Sequence, residues 1–193
     1  MESTRSKKKV IWGAVLAVIA LLAIFAVGKY NTLVQSNEGV NNKWAQIGTQ
    51  LQRRYDLIPN LVNTVKGNTQ QEKDVFIALA NARSRYAGAT TQEGQVAAAN
   101  ETESALARLL VISENYPTLS SSVAFQNLQV ELEGSENRIA VARKDYNDVV
   151  TTFNTKVKYF PGSLLARMFG FAPRSYFENS DASNEVPTVE FNN

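Results

Sequence analysis

The stretch Gln50–Gly67, QLQRRYDLIPNLVNTVKG, decides how this chain folds. Leu51, Tyr55, Ile58, Val62 and Val65 recur at steps of three and four, the spacing that lines one face of a helix with apolar side chains. The stripe continues upstream through Ile47, Trp44 and Val40. It predicts one helix from about Tyr30 to Lys66, with Gly67 as its C-cap. Gln46, Thr49, Arg53, Asp56, Asn60 and Asn63 recur at the same steps, and at ~100° per residue they fall on the opposite face. Arg54 lies between the two stripes, close to the apolar edge.

Two features interrupt the pattern. Pro59 removes the amide that would bond the Tyr55 carbonyl and disfavours a helical Ile58. In a straight helix interior that costs about 3 kcal/mol. A bend between Tyr55 and Pro59, which lays the helix over shorter neighbours, would offset it through burial. The charges Arg53, Arg54 and Asp56 have three readings. They are solvated, with Arg53 and Asp56 pairing across one turn for ~0.2–0.5 kcal/mol. Or Arg54 reaches Glu131, Glu133 or Glu136 on the last long helix, near Asn137, where a carboxylate–guanidinium pair sets register more than stability. Or Gln46, Thr49, Arg53, Asp56, Asn60 and Asn63 form a polar face that recognises another subunit or protein.

Downstream, Thr69-Gln70-Gln71-Glu72 fits a capping box and starts a second helix with Val75, Phe76, Leu79, Ala82 and Tyr86 inward. AGATTQEGQ, Ala87–Gln95, is expected to be a loop from its glycines and threonines. A third helix runs from about Val96 to Tyr116, with Val96, Ala99, Leu106, Leu109, Leu110 and Ile112 inward. Glu101 and Glu103 sit near its positive end, and Pro117 stops it. The fourth, about Ser122–Phe160, keeps an apolar step of three or four from Phe125 through Ile139 and Tyr146 to Val157 and Phe160, a sustained heptad pattern typical of a coiled coil. Pro161-Gly162 ends it. No segment alternates with period two. The fold class expected is all-α: an antiparallel four-helix bundle whose first and fourth helices are long. GSLLARMFGF follows and has three uses open to it: capping the bundle end, lying in a membrane interface, or contacting a partner. After Arg174 only acids appear among the charged residues, so 172–193 reads as a disordered acidic tail.

Upstream, Val10–Val27, VIWGAVLAVIALLAIFAV, contains no polar residue over 18 positions. At ~1.5 Å per residue it nearly spans a ~30 Å hydrocarbon layer, with Trp12 and Tyr30 placed for the two interfaces. The rival is a cleaved signal peptide, whose apolar core is usually shorter; Ala26-Val27-Gly28 is a weak cleavage site. Arg5, Lys7, Lys8 and Lys9 precede the run and only Lys29 closely follows it. The positive-inside rule then places the N-terminus in the cytoplasm and the domain outside. The organisation expected is a basic flank 1–9, an anchor 10–28, the helical domain 29–171 and the tail 172–193.

Composition narrows the chemistry. The chain has no cysteine and no histidine. That removes disulfides, Cys/His zinc sites, cysteine nucleophiles and Ser-His triads. From Tyr30 onward there are 15 basic and 17 acidic residues, so the domain is not a nucleic-acid binder on charge grounds. Glu131, Glu133, Glu136, Asp145 and Asp148 are the candidate catalytic acids. Arg138, Arg143 and Lys144 crowd them, as on exposed helix faces generally, and no pairing pattern marks a metal site. No catalytic residue, metal or cofactor is assigned.

YNTLVQSNEGVNNKWAQIGTQLQRRYDLIPNLVNTVKG resembles the signature of the LemA family of bacterial membrane proteins. LARLLVISENYPTL, FQNLQVELEGSENRIAVARKDYNDVV and FNTKVKYFPGSLLARMFGF extend the likeness, in order, over about Tyr30–Phe171. The resemblance implies a bacterial source, a single-pass anchor and a helical bundle domain, and it supplies no catalytic residues. The expectation is an inner-membrane scaffold that contacts the bilayer and self-associates. The alternative is an adaptor or receptor that binds another envelope protein.

Overall fold

The computed structural model describes residues 2–66 and 73–178, with side chains for 11–65 and 74–178. Among the described residues every regular element is helical. They are α1 (Glu2–Lys66), α2 (Lys73–Gly88), α3 (Gln92–Ser113), the single turn α4 (Pro117–Ser120), α5 (Val123–Lys158) and α6 (Gly162–Phe169). α1 is one element, with the apolar run, Gly28 and Pro59 all inside it. Its N-terminal part is long and apolar enough to cross a membrane. The large apolar side chains from Ile11 to Val27 are all exposed. A bare apolar cylinder of this kind is costly in water and satisfied in lipid, because its backbone is hydrogen-bonded internally.

The chain divides into two compact units. The first combines Met1–Trp44 with Tyr146–Ser175, and the second combines Ala45–Asp145 with the chain from Tyr176.

In the first unit Leu33 and Val40 of α1, Tyr146, Val150, Phe153 and Val157 of α5, and Leu165 and Ala166 of α6 are buried. Trp44 meets Tyr146 edge-on, with ring centres 5.3 Å apart. The expected end of the last long helix shifts slightly: α5 stops at Lys158, and Phe160 lies beyond it, exposed rather than inward. Phe160–Pro161 is a cis bond, and α6 begins at Gly162. A Cβ at Gly162 would collide with the Lys156 carbonyl; only glycine lets the corner close this tightly. α6 ends at Gly170, whose φ of 77° is the left-handed conformation that glycine adopts without strain.

Residues 171–178, most of which the sequence assigns to a free tail, are held in place. Arg174 N–H donates to Asn154 Oδ1 at 2.7 Å, and its carbonyl accepts from Asn154 Nδ2 at 2.9 Å. One buried asparagine thereby satisfies both backbone groups of one residue. The Arg174 guanidinium reaches Asn37 and Asn41 of α1, and the Tyr146 hydroxyl donates to the Ser175 carbonyl at 2.9 Å. Composition signals disorder only when nothing else holds a segment; here α5 and α1 supply the partners. Residues 179–193, the rest of the expected tail, lie outside the described residues.

The second unit draws its core from α1, α2, α3 and α5. Ile47, Leu51, Tyr55, Ile58, Leu61 and Val65 come from α1; Phe76, Leu79 and Ala82 from α2; Ala98, Ala99, Ala105, Leu106 and Leu109 from α3; Phe125, Leu132 and Ile139 from α5. Leu119 of α4 is also buried. Trp44 and Val62, assigned to the inward stripe, are half-buried. The expected Ala87–Gln95 loop is largely helix. α2 continues to Gly88, and α3 starts at Gln92 behind Thr91, whose hydroxyl accepts from Gly94 N–H at 3.1 Å. Thr91 satisfies an end amide and Glu93 sits in the positive first turn, so the glycine that suggested a loop is the third helical residue. α3 stops at Ser113, four residues before Pro117, which instead opens α4 at its first position. Phe177 is buried, with the Arg143 guanidinium 4.6 Å from its ring centre. Asn100 Nδ2 donates to the Glu178 carbonyl at 3.3 Å. Gly67 and the Thr69–Glu72 capping box lie outside the described residues.

Candidate functional site

The second unit contains a seam of charge. Arg54 is only 1% exposed, which is rare for this residue type. It sits there because helical spacing places it beside Leu51, Tyr55 and Ile58, all buried. Its Nη2 donates to Glu136 Oε2 on α5. Across the same core, Arg143 Nη2 of α5 donates to Glu103 Oε2 of α3 at 3.1 Å. Both carboxylates are partly exposed while both guanidinium groups are buried. The four groups form a locally neutral quartet joining α1, α3 and α5.

Burial is the largest influence on Arg54 and pulls its pKa down to about 10. Glu103 opposes that shift and Arg143 adds to it. The side chain stays charged at neutral pH. Its Nε and Nη1 are buried without hydrogen-bond partners. A pair of this kind contributes little net stability, since desolvation offsets the attraction, but it penalises any register that separates the partners.

Beside it lies a hydroxyl cluster. Thr102 Oγ1 is hydrogen-bonded to Tyr55 Oη at 3.1 Å and to the Ala98 carbonyl at 2.8 Å. The Tyr55 and Tyr86 ring centres are 4.4 Å apart. Burial raises the Tyr55 phenol to about 12, against a smaller lowering from Thr102, and burial also raises Tyr86. Neither phenol is a base near neutral pH. Among the described residues there is no group of three or more acidic side chains placed to hold a metal ion.

The other residues singled out by sequence lie on the surface. Gln46, Thr49, Arg53, Asp56, Asn60 and Asn63 are exposed. Asp56 takes its hydrogen bond from Gln52 Nε2 at 2.9 Å, and the Thr49 hydroxyl bonds back to the Ala45 carbonyl. Glu133 accepts from Gln129 on its own helix, and Glu131 is exposed. Of the three acids facing Arg54 in the sequence argument, Glu136 makes the contact. Pro59 is half-buried inside α1. Glu103, Arg143 and Thr102 escaped sequence reasoning. Glu103 looks like a dipole-favouring acid and Arg143 like part of an exposed charge run, and nothing local distinguishes either as a seam partner.

Among the described residues, open grooves flank the core, two of them beside α1. One, of about 660 Å³, runs between α1 and α5 and is lined by Gln46, Thr49, Gln50, Gly134, Arg138 and Asp145 among others. The second, of about 560 Å³, lies between α1 and α2 and is more apolar, with Ile58, Pro59, Val62, Phe76, Ile77 and Arg83 on its walls.

A family profile described as LemA family matches residues 43–191. Magnetosome protein MamQ 2 and MamQ 1 of Paramagnetospirillum magneticum are each 27% identical over 198 residues, covering 89% of this chain and 72% of theirs. Protein LemA of Metamycoplasma hominis is 22% identical over 180 residues, covering 92% of this chain and 82% of its own.

Proposed function

The chain belongs to the LemA family, and from that premise we propose that it is a non-catalytic membrane scaffold, held by α1 as a single-pass anchor and self-associating through its helical body. The chain is a membrane-associated helical protein. The second unit acts as an antiparallel four-helix bundle, and the N-terminus is cytoplasmic with the body outside the inner membrane, as the basic flank favours. The MamQ relatives are named for the magnetosome and not for a reaction, which agrees with a role in building or holding.

The observation that carries self-association is the groove between α1 and α5. Gln46 and Thr49 lie on one wall, and Arg138 and Asp145, of opposite sign, on the other. A two-fold contact needs a surface complementary to itself, and the mixed polar and charged lining of this groove supports that reading. The charged chemistry inside the unit, Arg54–Glu136 and Arg143–Glu103, faces inward as fasteners. The test is the mass of the full chain in mild detergent. A uniform assembly that Val141→Arg, a change at an exposed groove position, converts to monomer supports the scaffold. A monomer at all concentrations refutes it.

A second reading, an adaptor for another envelope protein, draws on the apolar groove beside Pro59. Crosslinking from native membranes separates the two: a defined heterologous partner, with no self-crosslink, favours the adaptor.

A further inference from the structure

The first unit holds a second apolar surface besides the spanning part of α1. α6 buries Leu165 and Ala166 and leaves Leu164, Met168 and Phe169 exposed. The corner before it exposes Tyr159 and Phe160, the latter at 82%. Five large apolar side chains thus stand exposed on one short stretch, a clustering of the kind that marks an interaction surface.

Its height along α1 is set by direct contact. The Phe169 ring centre is 4.7 Å from that of Tyr30, and Phe171 is 6.1 Å from it. Tyr159, Phe160 and Pro161 share a cleft of about 250 Å³ with Lys29 and Thr32. Tyr30 stands three residues past Val27, the end of the apolar run, which is ~4.5 Å along a helix rising ~1.5 Å per residue. The interfacial layer on each side of a bilayer is ~5–7 Å deep. Tyr30 therefore belongs in that layer when α1 spans, and the patch lies beside it.

Charge points the same way. No acidic residue occurs between Glu2 and Glu38, nor between Asp148 and Glu178. Those two intervals supply the described α1, α5 and α6 segments around the patch, and they contain Lys29, Lys156, Lys158 and Arg167. A surface combining exposed aromatic and aliphatic side chains with bases and no acids suits anionic headgroups above acyl chains.

We infer that α6 and the corner preceding it are a second membrane contact, lying in the headgroup layer of an anionic bilayer beside the point where α1 emerges. The inference rests on the spanning role of α1, and the experiment separates the two. The chain has no cysteine, so single nitroxide labels can be placed at Leu164→Cys and Met168→Cys on the patch. Leu22→Cys in the apolar run and Val130→Cys, exposed on α5, serve as references. The full chain goes into vesicles of phosphatidylcholine with phosphatidylglycerol, and collision with oxygen is compared with collision with a water-soluble nickel chelate. The expected oxygen preference at 164 and 168 is several-fold above that at 130 and below that at 22. Values at 164 and 168 equal to that at 130, with 22 in lipid, overturn the inference and leave the anchor standing. A water-exposed label at 22 removes the anchor, and the inference with it. In the Lys158→Gln/Arg167→Gln variant, or in vesicles of phosphatidylcholine alone, the preference at 168 falls. An unchanged value in both overturns the requirement for anionic lipid.

Discussion

Removing the carboxylate of Glu136 tests the ionic seam directly. Arg54 stays buried after Glu136→Gln, because its position follows from the packing of Leu51, Tyr55 and Ile58 around it. Two unit charges about 4 Å apart at an effective dielectric constant of about 20 attract by roughly 4 kcal/mol. The Glu136 side chain is 42% exposed, so solvent screens about half of that, and Glu103 supplies some remaining compensation. The expected loss is about 2 kcal/mol, or a fall in Tm of about 4–8 °C for a chain of this size. Arg54→Met should behave differently. It removes the buried charge together with Nε and Nη1, which lack hydrogen-bond partners, and fills similar volume. The change expected there is within about 1 kcal/mol of neutral, since replacing a buried pair by apolar groups is often tolerated. The assay is urea unfolding of the full chain in detergent, followed by far-UV circular dichroism, for both single variants and the double. In Arg54→Met, adding Glu136→Gln should cost almost nothing further. A silent Glu136→Gln, or an Arg54→Met that is the more damaging change, refutes the ionic seam.

Three further outcomes follow from individual residues. Tyr55 has a folded pKa of about 12 against an ordinary 10; its contribution is complete below pH 10 and is lost as pH rises from 10 to 12, by about 2–3 kcal/mol. Urea midpoints should fall over that window, and Tyr55→Phe should flatten the dependence while costing about 1 kcal/mol at neutral pH for the lost bond to Thr102. Thr91→Ala should cost about 1 kcal/mol by freeing the Gly94 amide, and Thr91→Asp should restore it; equal midpoints for both variants would show that the cap is unimportant. Pro59→Ala should restore the amide to the Tyr55 carbonyl and change the direction of α1, read as a shift in the distance between spin labels at exposed positions on either side. An unshifted distance rules out the proposed bend.

Much of the helical pattern is local in origin. The stripe from Val40 to Val65 and the run from Phe125 to Val157 specify period 3.6 from neighbours three and four apart, which needs no knowledge of the fold. An apolar run of 18 residues is likewise legible locally as a segment long enough to cross a bilayer. The helix start at Gln92 was in principle legible too. Thr91 and Glu93 carry the cap signal, and Gly94 obscures it because glycine has low helix propensity yet is tolerated in a well-capped first turn.

Local pattern alone makes this chain helical, places its long helices approximately, shows which faces are apolar, and puts Arg54 at an apolar edge where either solvent or an acid of the last long helix could receive it. Tertiary structure alone decided that Glu136 takes Arg54 and Glu103 takes Arg143, that Thr102 meets Tyr55, and that Arg174 and Phe177 pin a stretch whose composition suggests a free tail. The difference is one of range. Arg54 and Glu136 are 82 positions apart and Arg174 and Asn37 are 137 apart. Helical periodicity sets which way a side chain points about its own axis, but how far one helix slides along another is set by the packing of every side chain between them.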